Sequence, residues 1–389
     1  MHFCLIYPAR LRNVHFAVLQ EENMKAGEII SFMEKMAPPE TILPGDRVGL
    51  QIGDPDREVK SVLIALTPTA EVAEESAKRG ADMLITHHPI LHEPVDSISP
   101  ATETGRILLT LAEAGITAFS SHTNLDGAPD GVTAALMAKL GFSRWELLYH
   151  HHTPDLKKLV TFIPHEHIEK VAKAMGDAGA GVIGDYSHCS FRLEGTGTYI
   201  PMEGATPYLG DIGKLEKAGE VRLEVLVTKK ALPVVLAAMF ESHPYEEVAY
   251  DVYPLENTDQ RYAMGAIVTL EKALPFKALL ADVKKKLGLS AVKYSGDAGK
   301  TVQRIAVCGG SGSNLLPVVL AKKCDALLTG DIKYHFALEA VRKGLLLADL
   351  GHHDSELPVV EHLAKRLKEN FPDIEFISSE VDTNPFNYL

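Results

Sequence analysis

One short pattern occurs twice in this 389-residue chain, and it limits the possible folds more than any other feature. Ala81-Asp82-Met83-Leu84-Ile85-Thr86-His87-His88 aligns with Cys324-Asp325-Ala326-Leu327-Leu328-Thr329-Gly330-Asp331. Farther on, His122-x-x-x-Asp126 aligns with His352-x-x-x-Glu356. Each copy follows a helical stretch and a short apolar run. A duplicated unit of this kind sets two like strand ends side by side. Strand C-termini are where open α/β sheets hold their ligands.

The surrounding sequence fits that frame. Apolar runs alternate with amphipathic stretches, the pattern of α/β folds. Strands are expected over 60–66, 83–86 and 117–120, with helices over 71–79 and 106–114 between them. After Gln303 the order recurs: strand 304–307, helix 315–323, strand 326–329, helix 336–342, strand 345–349. Between the halves lies a stretch with its own echo. Strand 159–163 and helix 167–175 are answered by strand 221–227 and helix 232–240, with strand 250–253 after them. Two β-α-β units in tandem suggest a ferredoxin-like split βαβ domain. The Gly- and Pro-rich 195–219 reads as a long loop inside it. The expected class is α/β, a duplicated α/β core unit with an inserted α+β ferredoxin-like domain. Its expected divisions are an extension at 1–23, core halves at 24–149 and 288–389, and the insert at 150–287. In the extension, the apolar residues 3–7 precede Arg10 and Arg12. That order is the reverse of a secretory signal, so no chemistry is assigned there.

Composition narrows the partners. With 39 Lys+Arg against 52 Asp+Glu, the formal charge is −13. Phosphate backbones and anionic headgroups are repelled by such a balance, so neither nucleic acid nor membrane is expected as a partner. No apolar run nears the ~20 residues of a spanning helix. Cys4, Cys189, Cys308 and Cys324 are scattered with no C-x-x-C pair, which points to a reducing, cytoplasmic setting.

Histidine is the plentiful residue, at 17. Metal-ligand side chains gather in four segments that each follow an expected strand. They are Thr86-His87-His88-Pro89, residues 121–126 from Ser121 to Asp126, residues 330–335 from Gly330 to His335, and Gly351-His352-His353-Asp354-Ser355-Glu356. Imidazole and carboxylate suit Zn²⁺, Fe²⁺ or Mn²⁺, and the lack of nearby cysteine disfavours a structural thiolate zinc. His352 and Glu356 are four apart, and on a helix both can face one point. His122 and Asp126 share that spacing, and a loop is expected to carry them. Each segment alone also suits surface or packing histidines; the four together favour a metal site.

These residues, with Val48-Gly49-Leu50-Gln51-Ile52-Gly53-Asp54, carry a resemblance to a known family. The chain resembles the NGG-interacting-factor-three-like family, also called GTP cyclohydrolase 1 type 2 homologues or dinuclear metal-centre hexameric proteins. The resemblance covers about 24–149 and 301–389. It implies two divalent ions per chain (Zn, Fe or Mn) held by His87, His88, Asp126, His352 and Glu356. It also implies that His122 and His335 line the same cleft without ligating. Two departures stand out. Thr67-Pro68-Thr69 replaces a common Asp-Val-Thr, and Arg47 replaces an Asn before Val48. Neither is expected to touch a proposed ligand.

The middle segment resembles the PII-like and CutA-like domain of longer family members. The matching residues run from Gly195 to Gly210, with Glu220, Arg222, Glu224 and His243-Pro244-Tyr245-Glu246-Glu247. A homohexamer is implied by resemblance. The implied chemistry is metal-assisted hydrolysis of a nucleotide-like small molecule, GTP by the family label. Two ions about 3.5–4 Å apart can activate water near neutral pH. His122 and His335 could shuttle protons, since imidazole changes charge near neutral pH. The alternative is a non-enzymatic metal-binding or sensing ring whose insert detects a ligand.

Three other signals carry bland readings. Gly309-Gly310-Ser311-Gly312-Ser313 fits neither G-x-G-x-x-G nor a P-loop and reads as a tight strand-to-helix turn. His150-His151-His152 reads as a linker, and Cys308 as buried packing near the cleft.

Overall fold

A computed structural model describes residues 24–150, 155–257 and 261–389. The expected extension at 1–23 and His151 and His152 lie outside the described residues.

The aligned aspartates start both sheets in the same way. Asp82 Oδ2 accepts hydrogen bonds from the backbone N–H groups of Lys60 and Ser61, at 2.8 and 3.2 Å. Asp325 Oδ2 accepts from Gln303 and Arg304, at 2.8 Å each. Both carboxylates thus take up backbone donors just before the buried part of a neighbouring strand.

Along the chain, α1 (Ala26–Met36) leads into β1 (Gly49–Ile52), β2 (Ser61–Ala65), α2 (Ala70–Lys78), β3 (Met83–Thr86), α3 (Glu103–Ala114), β4 (Thr117–Ser120), α4 (Thr123–Asp126), α5 (Val132–Leu140) and β5 (Glu146–Tyr149). The middle segment supplies β6 (Leu156–Pro164), α6 (Ile168–Asp177), β7 (Ser190–Tyr199), β8 (Glu216–Thr228), α7 (Leu232–Ser242) and β9 (Tyr250–Pro254). The remainder holds β10 (Met264–Pro275), α8 (Phe276–Leu287), β11 (Lys293–Ser295), β12 (Thr301–Val307), α9 (Leu316–Ala321), β13 (Ala326–Thr329), α10 (Tyr334–Arg342), β14 (Leu346–Asp349), α11 (His352–Glu356), α12 (Pro358–Asn370) and β15 (Glu375–Ser378).

Two core sheets follow one plan. Their orders are β1-β4-β3-β2-β15 and β11-β14-β13-β12-β10-β5. Four parallel strands in the first and three in the second stand beside an antiparallel edge strand, β1 or β11. The central strands β3, β4 and β13 are buried along their whole length, as parallel strands covered on both faces require. Helices supply the cover. Ile29 and Met33 of α1 join Val359 and Leu363 of α12 over Val62 and Ile64, while α2 and α3 cover the opposite face. On the second sheet, α5 and α8 cover one face, and α9 and α10 the other.

The halves trade elements. β5, from the first half, pairs with β10 at the edge of the second sheet. β15, from the end of the chain, pairs with β2 in the first sheet. α5 contributes Val132 and Ala135 to one core and Leu136, Met137 and Leu140 to the other.

The middle segment runs β-α-β-β-α-β, with antiparallel strand order β7-β8-β6-β9, the connectivity of a split βαβ unit. Two expectations change. Residues 264–287, read as the end of the insert, form β10 and α8 and pack into the second core sheet. A buried face in the pattern tells that a strand or helix packs, not which sheet it packs on. The 195–219 loop is also shorter than expected. β7 continues through Tyr199 and β8 begins at Glu216, with Gly195 opposite Glu220. Glycine usually weakens a strand. Here a Cβ on Gly197 would come within 2.1 Å of Glu220 Oε2, so the missing side chain makes room for the carboxylate.

Candidate metal centre

The duplication brings the strand ends together as its symmetry requires. His87 and His88 leave β3, Asp126 ends α4, and His352 and Glu356 lie one turn apart on α11. Three groups of ligand atoms converge: His87, Asp126 and Glu356; His88, His352 and Glu356; and His87, His88 and His122. Glu356, only 3% exposed, links the first two groups. Its Oε2 lies 3.1 Å from both His88 Nε2 and His352 Nε2, and its Oε1 lies 3.9 Å from His87 Nε2. His122 stands beside them, its ring 5.2 Å from that of His87 and 5.5 Å from that of His88.

Oxygen partners hold the far nitrogens. His87 Nδ1 donates to the Ser121 carbonyl at 2.9 Å, which turns Nε2 toward the cluster. His352 Nδ1 donates to Asp331 Oδ2 at 2.7 Å, and His122 Nδ1 to Asp46 Oδ1 at 2.9 Å. His88 Nδ1 meets the Thr67 hydroxyl at 2.9 Å. Such partners orient histidines for ligation and select the tautomer. Asp331 adopts a left-handed backbone, φ 54°, a region uncommon for residues other than glycine.

The residues fit a cation. His87 Nε2 and Asp126 Oδ1 are buried with no hydrogen-bond partner. They face each other at 3.5 Å, too far for a good hydrogen bond. Asp126 keeps one-fifth of its side chain exposed, while this one oxygen is sealed inside. Unpaired buried polar atoms are costly, and such atoms in a native site call for an ion or another partner.

The charges compete inside the cluster. Burial disfavours protonation of His87, but Asp126 and Glu356 outweigh it and raise its pKa to about 9. The hydrogen bond to Glu356 is the main cause that lifts His352 to about 9, against burial. Burial lowers the pKa of His88. Burial raises Asp126. It would raise Glu356 too, but three imidazoles hold that carboxyl well below its usual range.

The structure brings His87, His88, His122, Asp126, His352 and Glu356 together, but not His335. That side chain is exposed at the start of α10, its ring beside Tyr334, outside the converging groups. One expectation is corrected: the Thr67 departure does touch a candidate ligand, His88. Asp46 was missed because nothing in its loop sequence signals a contact with a histidine 76 positions away. The turn at 309–313 packs against the cleft. A Cβ on Gly310 would come within 2.0 Å of Glu356 Oε1. Cys308 is buried beneath it, its thiol pushed up by burial and by the nearby carboxylates.

Comparison with known proteins agrees with this picture. The family model described as Duf34/NIF3 (NGG1p interacting factor 3) matches residues 24–385. The GTP cyclohydrolase 1 type 2 homolog of Bacillus subtilis is 37% identical over 372 residues, covering 95% of this chain and 100% of that one. A solved Bacillus cereus protein related to NIF3 is 37% identical with a TM-score of 0.76, covering 94% of this chain and 99% of that one. A Staphylococcus aureus structure is 28% identical with a TM-score of 0.81 over the same shares.

Proposed function

The chain belongs to the Duf34/NIF3 family, and from that premise we propose that its cleft holds two divalent metal ions and hydrolyses a nucleotide-like small molecule. The observation that carries this reading is the buried pair His87 Nε2 and Asp126 Oδ1, each without a partner. Ligation to a cation would remove both penalties at once. Glu356 supports the number two, because its oxygens divide between a deep group and an outer one. Bound there, Zn, Fe or Mn ions would supply Lewis acidity and water activation.

The remaining chemistry belongs to the chain. His87 and His352 present Nε2 because the Ser121 carbonyl and Asp331 hold Nδ1. His122, 27% exposed and anchored by Asp46, is placed to take a proton at the cluster and return it to solvent. In this reading His122, and not the exposed His335, is the proton carrier. The naming of the Bacillus subtilis relative makes guanine nucleotides the first substrates to test.

Self-association into a homohexamer is part of the proposal, supported by exposed Phe191 and Leu193 on β7 of the inserted sheet. Kinship of that sheet to PII-like domains is proposed from its motif and connectivity. A cytoplasmic location is supported by Cys189, Cys308 and Cys324, which are free thiols. No helix among the described residues is long and apolar enough to cross a membrane.

The test begins with protein purified without chelators, whose metal content is measured. It is then reloaded with Mn²⁺, Zn²⁺ or Fe²⁺ and offered GTP, other nucleotides and phosphoesters. His352→Ala should lose metal and turnover together. Silence across the panel would reject the hydrolase, and unchanged metal in the variant would reject the site. One observation favours a second reading, a ligand-sensing metal-binding ring: the inserted segment has a cavity of its own.

A further inference from the structure

That cavity measures about 710 Å³. Sites for small organic molecules have this size. It opens between the ends of β7 and β8, the chain after Tyr199 and the turn around Tyr245. Its lining is one-sided in charge. Glu203, Glu220, Glu246 and Glu247 contribute carboxyls, and no lysine or arginine occurs among the described residues that line it.

Three tyrosine rings, beside Phe162, complete the wall: Tyr199, Tyr208 and Tyr245. Tyr245 lies 6.4 Å from Tyr199 and 5.8 Å from Tyr208, centroid to centroid, and the rings are inclined to one another. Their hydroxyl protons are already committed. Tyr245 donates to Glu220 Oε1 at 2.8 Å, Tyr208 to Glu166 Oε1 at 3.1 Å, and Tyr199 to the Leu209 carbonyl at 3.0 Å. From these tyrosines a ligand therefore meets electron-rich rings and oxygen lone pairs, not donors.

Glu220 is the most informative group. It is 7% exposed and accepts from Tyr245, while nearby Arg222 pairs with Glu224 and His243 attracts Glu220 without an ion pair among the described residues. Gly197 leaves the space in which its Oε2 lies. A buried carboxylate under aromatic rings is the chemistry that recognises organic cations. Anionic phosphates would meet four carboxyls and no counter-charge. A bare divalent ion needs several converging oxygens. Here Glu246 is instead taken up by the Thr206 backbone N–H and hydroxyl.

We propose that this cavity binds a small organic cation, an ammonium or guanidinium group on an apolar body. Glu220 is its counter-charge, and Tyr199, Tyr208 and Tyr245 form its cage. The site shares no residue with the metal cleft, so it stands or falls separately from the metal reading.

The test uses the full chain and calorimetric titration at neutral pH. The probes are 2-phenylethylammonium, agmatine and spermidine, with 2-phenylethanol as neutral isostere and AMP as anion. At least one cation should bind at one per chain, and 2-phenylethanol at least tenfold more weakly than 2-phenylethylammonium. Glu220→Gln should weaken the cation at least tenfold while leaving the alcohol, the metal content and the thermal transition unchanged. Tyr208→Leu, on the half-exposed wall, should weaken the cation several-fold, and it decides the matter if Glu220→Gln does not fold. Binding by none of the cations, equal affinity for the alcohol, an indifferent Glu220→Gln, or displacement of the cation by a divalent metal alone would overturn the proposal.

Discussion

At the scale of single residues, the segments that converge were legible and their supports were not. The segments of His87, His88, Asp126, His352 and Glu356 stand out because they follow predicted strands in a repeated frame, while the choice of these five as ligands comes from the family resemblance. Asp46 could not, since its contact with His122 exists only once distant loops meet. Thr67 was misjudged for the same reason. Asp331 illustrates what such supports do. Its carboxylate fixes the His352 ring, and loss of an outer partner of this kind lowers metal affinity about 10–100-fold. Asp331→Asn, which tolerates the same left-handed backbone, should show that loss in chelator competition without loss of fold. The imidazoles also set a pH dependence. In metal-free protein His87 and His352 hold protons up to about 9, so metal must displace them. Apparent affinity should therefore rise with pH to about 9. Calorimetry in buffers of different ionisation enthalpy should register proton release at pH 7 and little at pH 9.5. The stability sign follows from the raised pKa of His352. Its contribution to the metal-free fold is full below about 6.5, its value in the unfolded chain, and is lost as pH rises through about 9. The melting temperature of metal-free protein should fall across that window.

Among elements, periodicity revealed the parallel strands β2, β3, β4, β12, β13 and β14 and the helices α2, α3, α9 and α10 between them, but not α5, α12 or the strands β1, β5, β10, β11 and β15, nor which strands pair. The run 304–307 and its neighbours alternate as parallel α/β units must. Nothing in the alternation of 264–275 says that β10 joins the second sheet, because a half-buried strand looks alike on either sheet. The trade of β5 and β15 was invisible for the same reason. α5 is the element most exposed to this arrangement, since it serves both cores. Leu136 is fully buried on it, and Leu136→Ala should cost about 2–5 kcal/mol. Because both cores share that helix, chemical denaturation followed by circular dichroism should still give one transition for the core, displaced as a whole. Two separated transitions would show that the halves unfold independently.

For the molecule as a whole, the sheet of the middle segment is separate from both core sheets. Tyr149 pairs with Met264, so the chain leaves and re-enters the core across one pair of neighbouring strands. Replacing residues 151–262 with a short turn should leave metal stoichiometry intact and abolish uptake of 2-phenylethylammonium. Metal analysis and titration of the one variant check both. The traded edge strands have a further effect on the remaining core. Two blocks that each hold a border of the other make a mortised joint, so the halves that carry the histidines are tied by backbone hydrogen bonds as well as by the packing of α5.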